Sequence, residues 1–188
     1  MDAACHARRA RIRGVSHSTD GAGSAGTPAE GGAIRPPNRI PWPPILFIVA
    51  ALAAVCLGMV VPGPAWLETP VVRAIGWAGL LAGLGLDLAA MRTMSCQRAN
   101  ILPHRAATAL VTTGPFAWSR NPIYLGNTIV LLGAAGAFAN PWFLLAAPAA
   151  AIGVTRLAIV REEAHLAGLF GPAWRAYCLR TARWLGRP

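Results

Sequence analysis

Two short stretches carry most of the side chains able to do chemistry. One is Ser119-Arg120-Asn121-Pro122-Ile123-Tyr124-Leu125-Gly126, and the other begins Val160-Arg161-Glu162-Glu163-Ala164-His165. The residues between them are apolar and hold a single charge, Arg156. A guanidinium and two adjacent carboxylates in one small volume would bind a charged ligand. A plainer reading competes: arginines and acids flank apolar runs as topology signals and as exposed ion pairs of little energetic weight.

Whether the two stretches meet depends on the elements that carry them. The chain has 188 residues, 55% hydrophobic and only 13% charged, where a soluble domain of this size carries about 25% charged residues. Mean hydropathy is +0.46. The deficit of charge points to a protein embedded in a membrane. The net charge of +10 comes from arginine alone, since there is no lysine. Nucleic-acid binding would require a basic face on a soluble fold; here the arginines sit between apolar runs, as the charge rule of membrane topology has it.

Residues 1–40 open with Arg8, Arg9, Arg11 and Arg13 and continue through a Gly/Ala/Ser-rich stretch. That composition buries no core and predicts a disordered tail. Residues 41–188 hold four apolar runs, at about 44–62, 71–91, 123–138 and 142–160. Trp42 and Trp66 bracket the first, and Pro62-Gly63-Pro64 turns the chain after it. Glycines at 76, 79, 83 and 85 give the second a close-packing face. Asp87, near its end, either pairs with Arg92 or faces a pocket. Ala139-Asn140-Pro141 leaves room only for a tight reversal, so the third and fourth runs form an antiparallel hairpin. The fold class expected is all-α, integral membrane, with about four transmembrane helices and a cytoplasmic C-terminal helix. Arginines cluster before the first run, between the second and third, and after the fourth. This places both termini and the 92–121 loop in the cytoplasm, for a bacterial chain at the inner membrane.

The hairpin answers the question of meeting. Arg120 and Glu163 lie at similar distances from the turn, roughly 30 Å of helix each at 1.5 Å per residue. They should share one depth, at the cytoplasmic boundary. Cysteines 5, 56, 96 and 178 have no CxxC spacing and read as free thiols. The four histidines show no ligand spacing, so no metal site is expected.

The combined pattern is more specific than any part of it. Thr113-Gly114-Pro115-Phe116, Ser119-Arg120-Asn121-Pro122-x-Tyr124-x-Gly126, Arg161-Glu162-Glu163, Phe170-Gly171-x-x-Trp174-x-x-Tyr177 and Arg183-Trp184 follow one another in order. From about Leu84 to Trp184 the chain resembles the isoprenylcysteine carboxyl methyltransferase family and its phospholipid N-methyltransferase relatives. These are small membrane enzymes that use S-adenosylmethionine. Asn121 stands where eukaryotic members carry histidine.

The resemblance implies direct methyl transfer from a sulfonium, with donor, methyl and acceptor in line and shielded from water. No metal is required. The amino-acid end of the cofactor is a zwitterion; Glu163, aided by Glu162, suits its ammonium, and Arg120 suits its carboxylate. The cofactor site implied takes in Thr113, Gly114, Pro115, Arg120, Asn121, Pro122, Tyr124, Gly126, Glu162 and Glu163, with Arg120, Glu163 and His104 as catalytic candidates. Pro122 is suited to open a helix, whose N-terminal N–H groups favour anions. Gly126 lets a ligand or a helix approach. Tyr124 offers a hydroxyl to the site or an aromatic ring to the interface. His104 either accepts a proton from an amine or is an exposed loop residue. Arg156 either snorkels or pairs with a glutamate. The aromatic face Phe170-Trp174-Tyr177 either covers the cofactor or lies on the membrane. The acceptor expected is a lipophilic one, an isoprenylcysteine-like carboxylate or a phospholipid amine. A small thiol or amine, or a non-catalytic packing subunit, are the competing readings.

Overall fold

The computed structural model describes residues 42–97 and 109–186. The expected disordered tail and His104 lie outside them. Among the described residues every regular element is a helix. Helix α1 (Trp42–Val60) carries no charge and stops before the Pro-Gly-Pro turn. A single short turn, Ala65–Glu68, leads to α2 (Pro70–Cys96), which starts on a proline in its first turn. Helix α3 is Pro122–Ala137 and α4 is Trp142–Val154. The chain then passes through a wide π turn, Thr155–Ile159, directly into α5 (Val160–Cys178).

Each apolar run is therefore helical, with two differences from expectation. Helix α2 continues five residues beyond Met91, because no glycine or proline interrupts it and Thr93 and Ser95 hydroxyls donate back to the Ala89 and Met91 carbonyls. The fourth run and the C-terminal helix are one rod. Between Gly153 and Gly168 nothing breaks it, and the π turn absorbs the extra residue. The rod kinks at Gly171, whose φ of 48° is left-handed, just before Pro172. Among the described residues three helices are long and apolar enough to cross a membrane: Pro43–Val60, Pro70–Cys96 and Trp142–Cys178; Pro122–Ala137 is apolar but shorter. Cys56 and Cys178 are free thiols. Cys96 is disulfide-bonded, so the expectation of a free thiol fails there, and Cys5 lies outside the described residues.

Helix α3 lies at the centre, with α2 on one side and α4 on the other, and α1 packs on α4. Phe47 and Ala54 of α1 join Phe143, Ala147, Ala150 and Val154 of α4 in the core. The outer faces carry exposed Ile48, Leu52, Leu81, Leu145 and Ile152, as lipid contact requires. The α2–α3 crossing is a contact between backbones. A methyl added at Gly76 would run into the Gly136 and Ala137 main chain. The α3–α4 reversal is as tight as the sequence implies. Ala139 takes φ 50°, Asn140 Oδ1 accepts from Trp142 N at 3.1 Å, and Asn140 Nδ2 donates to the Ala54 carbonyl at 2.9 Å. One asparagine thus shapes the turn and ties it to α1.

Gly76→Val should cost roughly 1–3 kcal/mol through overpacking and lower the thermal midpoint in detergent. Gly85→Val, where a side chain meets open space, should leave it nearly unchanged.

Candidate functional site

The site is built where the hairpin's open end meets the segments on either side. Gly114 adopts φ 63°, and a Cβ there would lie 2.9 Å from Thr93 Oγ1. Only glycine fits both the dihedral and the contact. Gln97 Nε2 donates to Thr113 Oγ1. Thr113, Gly114 and Pro115 therefore dock on the end of α2 and lead through a short turn, Gly114–Ala117, towards α3. Pro122 opens α3 and is fully buried. Gly126 faces α2: a Cβ there would collide with Asp87. Gly126 thus lets the neighbouring helix approach. Asp87 is itself buried, with Oδ1 lacking a hydrogen-bond partner.

Arg120 and Glu163 meet. Arg120 Nη1 is 3.5 Å from Glu163 Oε1, and both side chains are only 14% exposed. The Arg120 guanidinium lies 5.8 Å from the centre of the Trp174 ring, within cation–π range, and Nη1 donates to the Cys178 sulfur. Its Nε is buried without a hydrogen-bond partner. One residue earlier, Glu162 accepts the Tyr124 hydroxyl, at 3.0 Å to Oε1 and 3.2 Å to Oε2.

A second arginine, which sequence reasoning left without a role, completes the cluster. Arg183 Nη2 is 2.6 Å from Glu163 Oε2, and Nε lies 3.1 and 3.2 Å from the two carboxylate oxygens. The hydrogen bond to Glu163 raises the Arg183 pKa above its ordinary value. Spacing gave no hint of this contact, because Arg183 follows the end of α5 in an irregular segment.

That segment is held by the same stretch that supplies Arg120. Arg120 N donates to the Ala182 carbonyl at 2.9 Å. Ser119 Oγ and Asn121 Nδ2 both donate to the Arg183 carbonyl, at 3.3 and 3.1 Å. Asn121 therefore faces the C-terminal segment. The Tyr177 hydroxyl donates to the Phe116 carbonyl at 2.7 Å, and Thr181 Oγ1 to the Ala117 carbonyl at 3.4 Å. Trp174 and Tyr177 are buried and stack edge to face. Trp174 and Tyr177 of the aromatic face thus pack against Arg120 and the Gly114–Ala117 turn.

One candidate stands apart from the cluster. Arg156 is exposed and forms no glutamate pair among the described residues. It lines an apolar groove of about 310 Å³ with Ala151, Ile152, Thr155 and Trp184. A wider groove of about 480 Å³ lies by the Asn140 turn, at the other end of the hairpin from these charges. His165, three residues after Glu162 and so on the same helix face, has a buried Nε2 without a hydrogen-bond partner.

The cofactor implied by the resemblance can be tested against these atoms. The amino-acid end of S-adenosylmethionine brings a carboxylate and an ammonium. Arg120 has a buried donor without a partner, and Glu162 accepts only one hydroxyl. The residues present fit the group.

Tyr177→Phe removes a buried hydroxyl from its carbonyl and should cost about 1–2 kcal/mol. Thermal unfolding in detergent checks this.

Comparison with known proteins agrees with the resemblance. The chain is 29% identical, over 136 residues, to the nickel-cobalt-cadmium resistance protein NccN of Alcaligenes xylosoxydans xylosoxydans. The aligned region covers 72% of this chain and 61% of that relative's length, so the chain spans about six tenths of the curated protein it matches. No solved structure matches it. The phospholipid methyltransferase family model matches residues 71–173. That region is more than half of the chain and takes in α2, the hairpin and both charged stretches, and the chain belongs to the phospholipid methyltransferase family.

Proposed function

We propose that the protein is an S-adenosylmethionine-dependent methyltransferase acting at the membrane on a lipophilic acceptor, an isoprenylcysteine-like carboxylate or a phospholipid amine. The observation that carries this reading is the meeting of Arg120 with Glu163, next to Glu162 on its Tyr124 hydroxyl, at the open end of an apolar helical hairpin. When bound, S-adenosylmethionine supplies an electrophilic methyl group. Arg120, with its partner-free Nε, holds the amino-acid carboxylate, and an acid of the Glu162-Glu163 pair holds the ammonium. Tyr124 orients Glu162 through its hydroxyl. Thr113, Gly114 and Pro115 shape the wall of the site by docking on α2. Surrounding apolar helices exclude water, which strengthens each of these charge contacts.

The lipophilic acceptor is supported by the apolar groove of about 310 Å³ at Trp184, next in sequence to the Arg183 that grips Glu163. Arg156 at its edge suits an amphiphile with a polar head. The arginine distribution supports both termini in the cytoplasm, with the site opening at the inner leaflet of a bacterial inner membrane.

The test is titration of the detergent-purified chain with S-adenosylhomocysteine. Binding in the micromolar range is expected. Arg120→Gln and the double variant Glu162→Gln/Glu163→Gln should each weaken it at least about tenfold, or about 1.4 kcal/mol. No binding to correctly folded protein, or binding indifferent to these changes, would overturn the reading.

A further inference from the structure

The two adjacent acids have different surroundings. Glu163 is already engaged by two guanidiniums: Arg183 grips both of its oxygens and Arg120 lies 3.5 Å from one of them. One carboxylate between two arginines leaves a local surplus of positive charge, which repels an arriving ammonium. Glu162 has the opposite situation. Its partner is the neutral Tyr124 hydroxyl, and among the described residues no cation pairs with it.

The position of Arg183 is set by the backbone. Its carbonyl accepts from Ser119 Oγ and Asn121 Nδ2, and the preceding Ala182 carbonyl accepts from Arg120 N. The polar residues of the Ser-Arg-Asn stretch thus grip the C-terminal segment from which Arg183 reaches Glu163.

We propose that Arg183 is a positioning residue that saturates Glu163, so that Glu162 is the acid meeting the ammonium of the ligand while Arg120 is left to its carboxylate. The proposal rests on the reading of this site as one for S-adenosylmethionine. It assigns the adjacent glutamates separate tasks: Glu163 anchors Arg120 and Arg183, and Glu162 recognises the ligand.

The experiment is calorimetric titration of the full chain in detergent with two probes, S-adenosylhomocysteine and 5′-methylthioadenosine, which lacks the amino-acid end. Glu162→Gln should weaken S-adenosylhomocysteine about 20-fold or more, as removal of a part-buried charge partner does, and change 5′-methylthioadenosine less than about threefold. Glu163→Gln and Arg183→Gln should each weaken S-adenosylhomocysteine about fivefold, and the double variant Glu163→Gln/Arg183→Gln no more than either alone, because the two residues act as one unit. Arg183→Lys should fall between wild type and Arg183→Gln. Glu162→Asp keeps the comparison open if Glu162→Gln does not fold, and should retain measurable binding. A larger loss from Glu163→Gln than from Glu162→Gln would overturn the proposal. So would equal weakening of both probes by Glu162→Gln, which marks a structural role. Wild type that binds neither probe sinks the reading of the site itself; wild type that binds, with Glu162→Gln unaffected, sinks only the division of tasks.

Discussion

Glu163 sits between Arg120 and Arg183, and this three-residue contact joins three separate pieces of chain. Arg120 precedes α3, Glu163 belongs to α5, and Arg183 lies beyond the last helix. A part-buried charge is costly unless it is paired and hydrogen-bonded. The position of any one of the three side chains therefore depends on the other two. The acids are adjacent in sequence, so fixing Glu163 also fixes Glu162 against Tyr124. A cluster of charge at the edge of an apolar bundle stays ordered because each member is tied to a different segment.

The helices make that contact possible. In an apolar medium the backbone must satisfy its own hydrogen bonds, which leaves helices as the available element. Their association then rests on close packing of small residues. Gly76 meets the Gly136-Ala137 main chain, and Gly126 leaves room for Asp87, so α2 can lie directly on α3. Asn140 closes the other end by bonding both its own turn and α1. With the closed end fixed, the open end has a defined spacing, and Arg120 and Glu163 arrive at one depth. The π turn and the kink at Gly171 re-aim the rod, and Trp174 and Tyr177 beyond it pack under Arg120 and the preceding turn.

Much of this was legible in the residues. Apolar runs, a three-residue reversal and the spacing of two charged stretches from it were enough to expect helices, a hairpin and the meeting of Arg120 with Glu163. Those features are local, or follow from helix rise alone. The rest depended on contacts without periodicity. Asn121 was expected on the cofactor; that its amide also donates to the Arg183 carbonyl had no signal in the spacing. Gly126 was open between ligand and helix, and its close approach to Asp87 of α2 is a contact without periodicity. Arg183 stood in a recognisable pattern, but its bidentate grip on Glu163 requires knowing how the chain turns after Cys178. The continuity of α4 with α5 was missed because the charges at 161–163 read as a helix boundary, although charge alone does not end a helix and no glycine or proline stands there.

The most direct measurement is an experimental structure of the protein in lipid or detergent with S-adenosylhomocysteine bound. The account predicts the amino-acid end of the ligand between Arg120 and the Glu162-Glu163 pair, with α3 and α5 bringing those side chains to the same end of the bundle. A ligand seated elsewhere, or Arg120 and Glu163 found at opposite faces of the membrane, would contradict it.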